Sequence, residues 1–193
     1  MKFKIVLTML VFCAGHGGYS FAASISTHTF TGCNLPDTGQ TGDFTATVGE
    51  DSDYMSSGNQ PGYIMYNPVG TSSVTVDNRT GLMWVTNPVD AGMSGTFSWE
   101  GALTVCESLN YAGYPDWRLP NIRELESIAS YGGGNPSINT SYFPNTLSAA
   151  YWSSTTVNSS ATNAWYFDFA NVVINYILKT TPLRLRCARG GPP

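Results

Sequence analysis

Three acids sit close together in Gly49-Glu50-Asp51-Ser52-Asp53-Tyr54. Oxygen ligands at alternating positions suit Ca2+, so Glu50, Asp51 and Asp53 are candidate metal ligands, set against the plain reading of a solvated turn. The full spacing of a helix–loop–helix calcium site is missing. His28 and Cys33 would make a thiol–imidazole pair, but no third group is placed to orient them. The other histidine is His16, and the chain lacks a His-Glu-x-x-His run, a nucleophile elbow and a Gly-rich phosphate loop. The expectation is a protein that binds rather than catalyses, with Ca2+ the only cofactor considered.

Residues suited to binding lie later in the chain. Val157 to Thr162 and Asn171 to Tyr176 are rich in Asn, Ser and Tyr. Such side chains give adaptable hydrogen bonds at low entropic cost. Asn158, Asn163, Asn171, Asn175 and Tyr176 are therefore the candidate ligand contacts, against the bland reading of ordinary loop composition. Trp84, Trp99, Trp152 and Trp165 have faces able to stack on sugar rings. Their places in strand-like segments or at a helix start favour core packing instead. Tyr111, Tyr114, Tyr131, Tyr142 and Tyr176 lie nearer loops and are expected to be exposed.

Charge narrows the partners. Only 11% of residues are charged, against about 25% in an average globular chain. The polar surface must come from Ser, Thr, Asn, Gly and Tyr. Lys2 and Lys4, the apolar run Ile5 to Ala14 and the small-x-small site Ser20-Phe21-Ala22 read as a signal peptide over 1–22. Losing Lys2 and Lys4 from nine basic residues leaves seven against 13 acidic, a net charge of −6. Nucleic acid is then not an expected partner, because phosphate binding needs a basic footprint. A polyanion would need Arg184, Arg186 and Arg189 on one exposed face. No stretch beyond the signal is apolar and long enough for a membrane span. The expected location is secreted, periplasmic or at the cell surface. Cys33, Cys106 and Cys187 then remain, enough for one disulfide and an odd thiol that is free or pairs between molecules.

Residues 23–69 read as a loop-rich extension, and 70–193 as the folded domain. Val74, Val76, Leu82 and Trp84 suggest short strands around a turn at Asp77-Asn78. Ser98 can cap a helix from Trp99 to Asn110 with Ala102, Leu103, Cys106 and Leu109 on one face. Asn121 and Glu124 have capping-box spacing for a second helix, with Ile122, Leu125, Ile128 and Ala129 buried. Strand-like segments follow at 150–152, 164–169, 172–178 and 183–188, the third open to interruption at Asn175-Tyr176. Two helices followed by a run of strands is an α+β pattern.

Seven segments stand in a recognisable order: Thr80-Gly81-Leu82-Met83-Trp84; Trp99-Glu100 with Ala102-Leu103 and Cys106; Asp116-Trp117-Arg118-Leu119-Pro120-Asn121 with Arg123-Glu124-Leu125; Phe143-Pro144-Asn145-Thr146; Tyr151-Trp152-Ser153-Ser154-Thr155; Trp165-Tyr166-Phe167-Asp168-Phe169; and Arg186-Cys187-Ala188-Arg189-Gly190-Gly191. Over about residues 70 to 191 they resemble the Lcl C-terminal domain family, named for the adhesin domain of a collagen-like surface protein. Asp37-Thr38-Gly39-Gln40 is similar to a segment that often precedes that domain. The resemblance implies a C-type-lectin-like fold with its N- and C-terminal strands paired, and a disulfide from the first helix to the last strand, at Cys106 and Cys187. It also implies adhesion to a glycan, a glycosaminoglycan-like polymer or a protein. The alternative is a structural subunit of a surface assembly such as a pilus, with Cys33 as a cross-link. The Trp-Arg-Leu-Pro segment is also similar to one in formylglycine-generating enzymes, but the late cysteine pair of that chemistry is not matched. The acid-Pro-Asn and Trp-Asn-Asp patterns of Ca2+-dependent lectins are absent too. Trp117, Leu119 and Pro120 are expected to be structural, with Arg118 on a carboxylate such as Glu124 or Asp168.

Overall fold

The computed structural model describes Thr38, Gln40 and residues 62–190. All of these fall in one unit, Pro36–Pro193. The signal segment 1–22, His28, Cys33 and the acidic group Glu50, Asp51 and Asp53 lie outside the described residues.

The elements in chain order are β1 (Tyr63–Val69), β2 (Ser72–Asp77), β3 (Leu82–Val85), α1 (Trp99–Glu107), α2 (Ile122–Glu126), β4 (Ala150–Val157), β5 (Ser160–Asp168), β6 (Val173–Leu178) and β7 (Ala188–Gly190). Two antiparallel sheets result, ordered β1-β2-β3-β7 and β4-β5-β6. With two helices and the Cys106–Cys187 disulfide, the fold is α+β. None of the helices described is long and apolar enough to cross a membrane.

Alternation along the strands divides the interior in two. Met83 and Val85 of β3 join one buried cluster, and Leu82 and Trp84 join the other. In the second sheet Trp152 and Ala164 join the first cluster, Tyr151 and Phe167 the second. Each helix serves one side: Ala102 and Cys106 of α1 belong to the first cluster, Leu125 of α2 to the second. Strands covered on both faces must be apolar throughout, and all four residues of β3 are buried.

Local chemistry sets the ends. The carboxylate of Asp77 accepts from the Arg79 amide at 2.9 Å and the Thr80 hydroxyl at 2.7 Å, which closes the β2–β3 turn. Gly81 takes the left-handed conformation there, with φ of +70°. Ser98 caps α1 by accepting from the Gly101 amide at 3.2 Å. The helix stops at Glu107 rather than Asn110, where the Leu109 amide takes an i−3 bond to the Cys106 carbonyl at 3.1 Å and tightens the last turn. Asn121 and Glu124 form the expected capping box. α2 nevertheless ends at Glu126, where the Ala129 amide takes an i−3 bond to the Glu126 carbonyl and tightens the turn.

Three expectations need correction. The stretch 23–69 does not stay loop-like to its end, because β1 occupies Tyr63–Val69 and pairs with β2. Only Tyr63 of that strand is buried, so no apolar stripe announces it. Residues 183–188 do not form one strand. Leu183 pairs with Phe97, Arg184 with Tyr151, and Ala188 with both Trp84 and Arg118, so the ladder changes partner along its length. The C-terminal strand therefore shares a sheet with β1 but pairs with β3, not with β1. β6 runs unbroken through Asn175 and Tyr176, which pair with Tyr166 and Trp165.

Candidate binding face

The β5–β6 hairpin carries a site on one face. Its register pairs Asn163 with Leu178, Trp165 with Tyr176 and Phe167 with Ile174. Directly paired residues share a face, and so do residues two apart. Phe167 and Ile174 are therefore the covered end of a stripe, both packed in the second cluster. Trp165 comes next, in neither cluster and half-buried. Its ring meets that of Tyr176 edge-on, with centroids 5.3 Å apart and planes at 78°. Tyr176 is 50% exposed and Leu178 54%. The stripe thus runs off the core and leaves a paired aromatic surface in water.

Asn163 extends this surface toward the β4–β5 turn. Its Nδ2 donates to the Ser160 hydroxyl at 3.1 Å, and that hydroxyl is shared with Thr162 at 3.2 Å. Asn158 stands exposed in the same turn. Aromatic rings flanked by amides and hydroxyls can stack on a flat apolar face and satisfy hydroxyls around it.

The other two candidates are placed elsewhere. Asn171 is in the opposite turn, beyond the end of β5 at Asp168, which lies about 17 Å along the strand from Asn163. There its Nδ2 donates to Asp168 at 2.8 Å, and Asp168 also accepts from the Ala170 amide at 2.9 Å. Asn175 pairs with Tyr166 on the reverse face, and its Oδ1 accepts the Tyr176 amide at 2.8 Å. β6 is an edge strand, so this bond occupies backbone that a foreign strand would otherwise meet. The structure brings Asn163 and Tyr176 together, with Asn158 at the adjoining turn, and separates Asn171 and Asn175 from them.

The aromatic residues divide in the same way. Trp84 and Trp152 are fully buried, and Trp152 donates to the Phe97 carbonyl at 2.9 Å. Trp99 packs on the first cluster, donates to the Ser153 carbonyl at 2.8 Å and lies 3.9 Å beneath the Lys179 ammonium. Core packing is right for these three and wrong for Trp165. Its alternation with Phe167 and Phe169 promised a buried stripe, and nothing in the sequence marks where cover ends. Tyr111 is buried rather than exposed, because its ring meets Trp117 edge-on and its hydroxyl donates to the Ser73 carbonyl. Tyr131 is exposed, and its amide donates to the Thr38 carbonyl at 2.8 Å.

The basic face that a polyanion would need does not form. Arg186 is fully buried, donating to the carbonyls of Val85 and Thr86 at 2.6 and 2.8 Å and to the Thr146 hydroxyl at 2.6 Å. Arg189 is buried too, its Nε and Nη2 donating to the two carboxylate oxygens of Asp116 at 2.7 and 3.1 Å. That pairing holds the Asp116 carboxyl below its ordinary range. Arg118 grips both oxygens of Glu124 at 2.7 Å rather than Asp168. Among the described residues no three His, Cys, Asp or Glu side chains gather as metal ligands.

The family model described as the Lcl C-terminal domain matches residues 73–189, more than half of the chain. No curated protein matches it.

Proposed function

We propose that this chain, which belongs to the Lcl C-terminal domain family, is an exported, non-catalytic module that binds a surface carbohydrate through the Trp165–Tyr176 face. One observation carries the reading: two aromatic rings in edge contact on an open sheet face, outside both buried clusters, beside Asn163. Sugar rings present flat C–H faces to such surfaces and hydroxyls to neighbouring amides. The C-type-lectin-like architecture belongs to the same proposal. It is supported by the two helices, by β7 joining the sheet of the early strands, and by the disulfide from α1 to the segment before β7. Export rests on the signal-like segment 1–22, and the disulfide is in keeping with an oxidising compartment.

The test is a glycan array probed with the purified protein, with and without Ca2+. A defined sugar bound by the wild type should lose about tenfold in affinity with Trp165→Ala or Tyr176→Ala, an effect of about 1.4 kcal/mol. Asn171→Ala should change little. Unaltered binding by Trp165→Ala with an unchanged unfolding midpoint would remove the platform from the reading. A second reading, a subunit of a surface assembly, is favoured by β1. That edge strand exposes Ile64, Met65 and Val69, and self-association at micromolar concentration in sedimentation would support it.

A further inference from the structure

A notch of about 150 Å3, which shares no residue with the aromatic face, lies between the loop after β3, the stretch before β4 and the segment after β6. Its floor is apolar and buried, built from Met93, Tyr151 and Leu185. Val89 and Leu147 also line it, yet these large aliphatic residues are 54% and 46% exposed. Arg184 lines the same space.

Arg118, Arg123 and Arg189 each pair with a carboxylate, whereas Arg184 pairs with none among the described residues. One nitrogen donates to the Ser94 carbonyl. A guanidinium has five donors in a planar fork shaped for a carboxylate, so donors remain. No acidic side chain among the described residues lines the notch. A space of this volume has room for a six-carbon ring.

We propose that this notch binds a small organic carboxylate whose apolar body is of ring size, with the carboxylate on Arg184 and the body between Val89, Leu147 and the floor. The carboxylate can come from a free acid or from the C-terminal apolar residue of a polypeptide. This inference does not depend on the carbohydrate reading.

The probes are benzoate, benzamide, and N-acetyl-Gly-Gly-Phe as free acid and as amide, titrated into the purified protein and followed by methyl NMR. An acid should shift the methyls of Val89, Met93, Leu147 and Leu185, and its amide should bind on the order of tenfold more weakly or worse. Arg184→Gln should lower the acid's affinity by a similar factor, while Trp165→Ala leaves it unchanged. Should Arg184→Gln fail to fold, the acid-to-amide comparison in the wild type decides alone. Benzoate binding assigns the site to a free acid. Binding of the peptide acid alone assigns it to a chain terminus. Equal response to acid and amide, shifts confined to other residues, or no response overturns the proposal.

Discussion

Arg186 carries a positive charge into the centre of the molecule without a carboxylate to meet it. Two carbonyls, one hydroxyl and the face of Phe143, 5.3 Å away, make its surroundings. Burial pulls its pKa down to about 10, so the group stays charged at neutral pH. The same guanidinium ties the end of β3 to Thr146, two segments that no shared strand connects. Arg186→Ala should cost about 3 kcal/mol or more, because it leaves a cavity and strands three acceptors. Arg186→Met removes the desolvated charge just as Ala does but keeps much of the volume, so it should cost less than Ala. Urea unfolding of the two variants measures the difference. Equal losses would assign the cost to the stranded acceptors rather than to the cavity.

Glu124 joins α2 to the segment before it. Its carboxylate accepts from the Asn121 amide at 2.8 Å and from both branches of Arg118. Burial pushes its pKa up, but the Arg118 and Asn121 hydrogen bonds and the Arg118 charge outweigh that and hold it below the ordinary range. A carboxyl depressed in the folded state contributes stability above its unfolded value, about pH 4.3. That contribution fades as pH falls through the lower folded value. Thermal unfolding should therefore show a loss below about pH 4.3 that Glu124→Gln flattens. Asn121→Ala should cost about 1 kcal/mol at neutral pH through the cap alone. This helix start was legible in the sequence because its partners lie within a few residues, and Arg118–Glu124 was among the pairs expected. β1 was not, since pairing with β2 rather than an apolar stripe holds it. Nor was the segment 183–188, whose partners come from four places in the chain. The candidate face was half legible: Asn163 and Tyr176 were singled out from the sequence, but only the strand register sets them with Trp165 and parts them from Asn175.

One covalent link ties α1 to the segment that leads into β7. The Cys106–Cys187 pairing, implied by family resemblance, is present and spans 81 residues. In the chain-entropy account a loop of that length stabilises by about 4–5 kcal/mol. That is a large part of the 5–15 kcal/mol typical of a folded domain. Removing it with a Cys106→Ser, Cys187→Ser double variant should lower the urea midpoint accordingly, and the wild type under reductant should converge on the variant. A shift under about 1 kcal/mol would mean that strand pairing and packing hold the segment without the bond.

That link also orders events in time. A chain made or threaded from its N-terminus presents Cys106 long before Cys187, and β3 long before its neighbour β7. For the length of 81 residues Cys106 is an open thiol. Cys33 is the sulfur already at hand. The correct bond and the last seam of the four-stranded sheet then close almost together. Until Cys187 arrives, an oxidant that reaches Cys106 cannot form the native bond, so assembly of this domain waits on its last segment.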